Sequence, residues 1–126
     1  MGYHILLVDD DPVLLTSLSE TVQLRMNAAV DICRNGLDAL KRILTLDYDA
    51  IISDIQMPVM DGLTLMTQVR TFSPATPMIL ITGHGDRKVI SQACASGAYA
   101  CIQKPIEREH FIACLKRAIR GEELTA

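Results

Sequence analysis

The chain has little of what a nucleic-acid surface, a membrane span or a sulfur-ligated metal site would need. Its 12 Lys and Arg are outnumbered by 15 Asp and Glu, for a net charge of −3, whereas phosphate binding calls for clustered basic residues. The short basic cluster Lys116, Arg117 and Arg120 falls in an amphipathic stretch. It reads as a solvated helix face that complements a helix C-terminus, so direct nucleic-acid binding is not expected. No apolar run approaches the ~20 residues that a membrane span needs. The first residues read as strand rather than leader, so a cytoplasmic protein is expected. The four cysteines, Cys33, Cys94, Cys101 and Cys114, form no C-x-x-C pair and no metal-ligand spacing. Each sits among apolar or small residues, which predicts core or near-core thiols in a reducing compartment, with a redox switch or zinc site as the alternative. No Pro/Gly/Ser linker, repeat or low-complexity stretch divides the 126 residues. One domain over residues 1–121 is expected, with 122–126 as a tail or the start of a linker.

Two periodicities alternate along the chain. Short apolar runs at His4–Val8, Ala50–Ser53, Met78–Ile81 and Tyr99–Ile102, and the alternating Ala29–Cys33, read as five strands. Between and after them lie stretches of 3.6-residue period: Val13–Met26, Leu37–Leu46 (with Leu37, Leu40, Ile43 and Leu44 on one side), Leu63–Phe72, Arg87–Ser96 and Glu107–Arg120. Asp11 and Pro12 suit the start of the first helix, Asn35-Gly36 marks a turn, and Gly97 and Gly121 stop the last two helices. Five strands alternating with five helices predict an α/β domain with a parallel sheet. The continuous apolar strands predict helices on both sheet faces.

In such sheets ligands bind at the carboxyl ends of the strands. Asp9 and Asp10 follow the first strand, Asp54 the third, Thr82 the fourth and Lys104 the fifth. Crowded carboxylates repel unless a cation is present, and hard oxygen ligands suit Mg²⁺. A carboxylate kept ionised can act as a nucleophile, with a lysine offsetting charge on a transferring phosphoryl group. The threonine hydroxyl can hydrogen-bond a phosphoryl oxygen, and Gly83 leaves the approach open.

The stretches Leu7-Val-Asp-Asp-Asp-Pro12, Ser53-Asp-Ile-Gln-Met-Pro-Val-Met-Asp-Gly62, Ile81-Thr-Gly-His84 and Gln103-Lys-Pro105 stand in this order at strand ends. Together they resemble the receiver domain of bacterial two-component response regulators, over essentially the whole chain. The resemblance implies a flavodoxin-like (βα)5 three-layer sandwich with a five-stranded parallel sheet of order 2-1-3-4-5. It implies that Asp54 accepts a phosphoryl group from a sensor histidine kinase or phosphotransfer protein. Asp9, Asp10, Asp54 and the Gln56 backbone carbonyl would hold Mg²⁺, while Thr82 and Lys104 bind the phosphoryl oxygens. Lys104–Pro105 would be a cis peptide. Asp11 is left to cap the first helix, though it competes with its neighbours for the metal role. Output would pass through the fourth helix, fifth strand and last helix to an attached domain or partner, and homodimerisation is compatible with the pattern.

The sequence departs from the family at Cys101, where a rotating Tyr or Phe switch is usual. Cys101 reads either as a small half-buried strand residue or as a special thiol. Period-two alternation places Tyr99 on the same strand face. Gln56 and His84 occupy positions that in the family tune hydrolysis of the phosphoryl group; His84 could order a water or simply face solvent. His4 and His110 read as structural, and Met57, Met60 and Met66 as packing residues. The rival enzyme reading is an aspartyl-phosphate phosphatase or phosphotransferase. It would call for an acid two positions beyond the nucleophile, where Gln56 stands. A flavodoxin-like cofactor binder ranks last, because acids occupy the place of its glycine-rich phosphate loop.

Overall fold

The computed structural model describes residues 2–83 and 87–122; His84 and the segment 123–126 lie outside the described residues. Strands β1 (Tyr3–Val8), β2 (Ala28–Cys33), β3 (Ala50–Asp54), β4 (Met78–Thr82) and β5 (Ala100–Gln103) alternate with five helices. These are α1 (Pro12–Arg25), α2 (Gly36–Ile43), α3 (Gly62–Phe72), α4 (Arg87–Ala95) and α5 (Arg108–Arg120). All strand pairs are parallel, in the order β2-β1-β3-β4-β5. This is the flavodoxin-like arrangement expected from the sequence.

The unbroken apolar runs are explained by the two cores. Ile5, Leu7, Ile52, Ile79 and Ile81 face the side covered by α1 and α5, around Phe111 and Leu115. Leu6, Val8, Ile51, Met78 and Leu80 face the other side, against α2, α3 and α4. Alternate side chains of one strand therefore feed opposite cores, so both faces call for mainly apolar residues. Phe111 is fully buried, so its truncation to alanine would destabilise the fold by about 3–5 kcal/mol.

Helix starts follow the local chemistry. The Asp11 carboxylate accepts from the Val13 and Leu14 N–H groups, Asn35 from Asp38, Asp61 from Thr64, and Glu107 from Glu109 and His110. Each satisfies donors that a helix N-terminus leaves unpaired. Gly121 closes α5 at φ 73°, as a left-handed C-terminal stop requires.

Three expectations are corrected. Of the four apolar residues expected on one side of α2, Ile43 is buried and Leu40 packs against the core, while Leu37 and Leu44 are exposed; Gly36 and Ala39 complete the buried face. A Cβ on Gly36 would lie 2.8 Å from the Met60 carbonyl oxygen, so close approach selects the small residues for the inner face. Tyr99 packs against the α1/α5 core and Cys101 against the opposite one. The strand begins only at Ala100, so two-residue alternation does not reach Tyr99, whose hydroxyl donates to the Glu122 carbonyl. Finally, Cys94 is exposed on α4 and Cys101 is half-buried, while Cys33 and Cys114 are the buried thiols. Small neighbours in sequence did not reveal that Cys94 lies on the outer side of its helix.

Candidate functional site: an acidic recess at the strand ends

The carboxyl edge of the sheet gathers five polar groups from four strand ends. Asp54 is the last residue of β3, paired with Ile81, and Thr82 is the last of β4, paired with Gln103. Asp9 follows β1, its N–H donating to the Cys33 carbonyl at 3.1 Å. The Lys104 N–H donates to the Thr82 carbonyl at 2.8 Å, so the lysine leaves the sheet beside the threonine. The Lys104–Pro105 bond is cis.

Oxygens of Asp9, Asp10 and Asp54 lie within 4.8 Å of one another. Asp9, Asp54 and Thr82 are buried, and Asp10 is exposed at the rim. Lys104 Nζ donates to Asp54 Oδ2 at 3.2 Å and stands 3.6 Å from Asp9 Oδ2. The second distance is an ion pair but too long for a hydrogen bond, so Asp9 Oδ2 is buried without a hydrogen-bond partner. Asp9 Oδ1 accepts from the Asp11 N–H at 2.9 Å, and Asp54 Oδ1 from the Gln56 N–H at 3.1 Å.

Burial pushes the Asp9 carboxyl up from the usual 3.8 to about 6; the Asp11 N–H opposes this, Asp54 adds repulsion and Lys104 attraction. For Lys104, burial acts to lower the pKa. The hydrogen bond to Asp54 and the charges of Asp9 and Asp54 outweigh it and hold the ammonium above its ordinary value. The recess therefore has two buried carboxylates, a rim carboxylate and one ammonium, a deficit of positive charge. An unsatisfied buried carboxylate oxygen beside two other hard oxygen donors is the setting a small divalent cation stabilises.

The β3–α3 loop closes tightly over Asp54. The Gly62 N–H donates to the Ile55 carbonyl at 2.8 Å, and a Cβ on Gly62 would fall 2.4 Å from the Asp54 carbonyl oxygen. Only glycine fits there. Met57 and Met66 are buried and Met60 partly so, as packing residues. His4 lies outside the recess, with Nε2 2.8 Å from Asp31 Oδ2, which also accepts from the Tyr48 hydroxyl at 2.7 Å. This cluster escaped sequence reading because its members lie far apart in the chain.

The sequence model of the response regulator receiver domain matches residues 5–116. The chain is 36% identical over 114 residues to the C4-dicarboxylate transport transcriptional regulatory protein DctD of Rhizobium meliloti (strain 1021), covering 90% of this chain and 25% of DctD. It therefore spans about a quarter of that relative's length. A CheY-like receiver domain protein from Methanospirillum hungatei JF-1 superposes with a TM-score of 0.91, at 24% identity and 96% coverage of each chain. A beryllofluoride-activated NtrC4 receiver domain dimer gives 0.89 at 30% identity, covering 94% of this chain and 97% of that one. The chain belongs to the response regulator receiver domain family. It is a receiver domain of the kind carried by regulators such as DctD, and the acidic recess fits a phosphoacceptor signalling role. Nothing in the geometry or these likenesses favours the phosphatase or phosphotransferase alternative.

Proposed function

We propose that Asp54 is the phosphoacceptor and that the domain switches an output in response. The observation that carries this is the pairing of a buried aspartate at a strand end with Lys104 at 3.2 Å and two further acids beside it. An Asp54 oxygen would attack the phosphorus of a phosphohistidine, forming a P–O bond as the P–N bond breaks and the imidazole leaves. Lys104 would move from pairing Asp54 to pairing a phosphoryl oxygen, and the Thr82 hydroxyl would donate to another. Asp9, Asp10, Asp54 and the Gln56 carbonyl would hold Mg²⁺. When bound, the ion supplies positive charge that lets the three carboxylates coexist and neutralises the incoming phosphoryl oxygens.

Gln56, exposed at the mouth, and His84 would set the lifetime of the acyl phosphate by governing access of water. The phosphoryl group would draw Thr82 inward and shift the chain between Gly83 and Cys101. With Cys101 half-buried and Tyr99 packed on the other face, no aromatic ring of β5 stands ready to rotate, so the output signal would pass by repacking of α4 against β5. The partners would be a sensor histidine kinase or phosphotransfer protein and, through α4, β5 and α5, an output domain or a second copy. No helix among the described residues is long and apolar enough to cross a membrane, which accords with a cytoplasmic location. The receiver would occupy residues 1–121, and 122–126 would be a tail or the start of a linker. Labelling with acetyl phosphate or a kinase should vanish in Asp54→Asn; undiminished labelling of that variant would overturn the assignment.

A further inference from the structure

Two of the four thiols stand at one junction. Cys101 of β5 packs on the core face that α2, α3 and α4 cover, together with Val89 and Ala93 of α4. Cys94 directly follows Ala93 and lies one turn beyond the half-buried Ile90, so the row of Ile90 and Cys94 flanks the row that α4 buries. The link between helix and strand is tied down. The Ala98 N–H donates to the Ala93 carbonyl at 3.0 Å and the Gly97 N–H to the Cys94 carbonyl at 3.2 Å, with Gly97 at φ 108°. This is the Schellman pattern of a helix stop. The Tyr99 N–H donates to the Met78 carbonyl at 2.8 Å, and Cys101 stands in register with Leu80. A helix end, a closed turn and a paired strand thus fix where Cys94 stands relative to Cys101. Burial, with the charge of the neighbouring Cys94, pushes the Cys101 thiol up, so the two sulfurs lie within one another's field.

The other two thiols are out of reach. Cys33 ends β2, four strands from β5, a separation of roughly 19 Å at ~4.8 Å per strand. Cys114 belongs to the core on the far side of the sheet. The helix that carries Cys94 is also the least buried of the five: α4 buries Ala93, whereas α5 buries Phe111, Ile112, Cys114, Leu115 and Ala118. A segment with few buried contacts opens locally at low cost, and a cross-link at its end would oppose that opening.

From these relations we propose that Cys94 and Cys101 form a reversible disulfide that clamps the C-terminal end of α4 onto β5, made by exchange with a low-molecular-weight disulfide of the glutathione class. The thiolate of Cys94, the exposed member, attacks the S–S bond of glutathione disulfide. A mixed disulfide of Cys94 and glutathione forms, and one glutathione leaves as thiolate. The Cys101 thiolate then attacks the Cys94 sulfur, the protein disulfide forms and the second glutathione leaves. Two cysteine thiols are oxidised, one glutathione disulfide is reduced, and the two thiol protons end on the departing glutathiones. A disulfide requires Cα atoms within ~7 Å, so it holds the arrangement in which α4 stays against β5. The disulfide itself is independent of the Asp54 reading. Its effect on output rests on that reading, because the proposed signal passes through the same contact.

The test incubates the whole chain with glutathione disulfide, without any phosphodonor, and digests it with trypsin under non-reducing conditions. Both cysteines fall in one peptide, Val89 to Arg108, since Lys104 precedes Pro105. That peptide should become lighter by two hydrogens and take up no alkylating agent, and dithiothreitol should reverse both changes. Cys94→Ser and Cys101→Ala should never show the two-hydrogen loss. Hydrogen exchange of the α4 amides should slow about tenfold or more on oxidation of the wild type, as closing a short loop implies, and not in Cys94→Ser, whose exposed position leaves the fold intact. A stable glutathione adduct on Cys94, two thiols that stay reduced, or a disulfide between two chains would each overturn the proposal. A disulfide that leaves α4 exchange unchanged or faster would overturn the clamp.

Discussion

Lys104 Nζ stands 3.2 Å from Asp54 Oδ2, joining the end of β3 to the residue just beyond β5 across a sequence separation of 50. The same ammonium is 3.6 Å from Asp9 Oδ2. One flexible side chain therefore holds two carboxylates that would otherwise repel, and it is the cation a transferring phosphoryl group would meet first.

Replacing that ammonium tests its double role. Lys104→Met should lower the stability of the metal-free protein by roughly 1–2 kcal/mol, a buried-pair loss reduced because the lysine is partly exposed. Urea unfolding with and without Mg²⁺ should show the deficit shrinking in Mg²⁺, while labelling by acetyl phosphate stays slow in both.

Asp9 gives the opposite sign. Its folded pKa of about 6 lies above the usual 3.8, so the folded metal-free protein binds this proton more tightly than the unfolded chain. The resulting penalty is absent below pH 3.8, grows as pH rises and is complete above about 6. Asp9→Asn should therefore stabilise the metal-free protein at pH 7.5 by on the order of 2 kcal/mol and give no gain below pH 4. The variant should also lose the stabilisation that Mg²⁺ confers on the wild type, seen in melting curves at both pH values.

Gly62→Ala would place a methyl group 2.4 Å from the Asp54 carbonyl oxygen. The loop must then move, at a cost of about 1–3 kcal/mol. Because that oxygen belongs to Asp54, the proposed acceptor, the labelling rate should drop along with stability. A melting temperature equal to wild type would show that the loop yields freely.

The four thiols should react in a defined order. Cys94 is exposed, Cys101 is half-buried, and Cys33 and Cys114 are buried; burial holds the last three above the ordinary thiol pKa. Native-state alkylation followed by peptide mass spectrometry should find Cys94 modified first and all four modified only in denaturant.

How much was legible follows from the range of the interaction that places each residue. Asp11, Asn35 and Gly121 were readable as caps or turn residues because a cap is decided within a few residues of itself. Asp9, Asp10, Asp54, Thr82 and Lys104 were readable as strand-end residues because each apolar run gives way to polar residues there. The faces of weaker elements were not. Leu37 and Leu44 looked like one side of α2 with Leu40 and Ile43, and only the packed helix separated the exposed pair from the pair that meets the core. Tyr99 and Cys101 looked like one face, and only the late start of β5 separated them.

By itself the sequence determined the strand-and-helix alternation, the parallel sheet and the residues that meet at its carboxyl edge, because hydrophobic period and strand ends are local properties of the chain. Tertiary structure alone decided that Lys104 reaches both Asp54 and Asp9, that Asp9 Oδ2 is left buried without a hydrogen bond, and that Asp31 gathers His4 and Tyr48. Each of those depends on how segments distant in sequence approach one another, and a distance between them is fixed only when the two cores have packed.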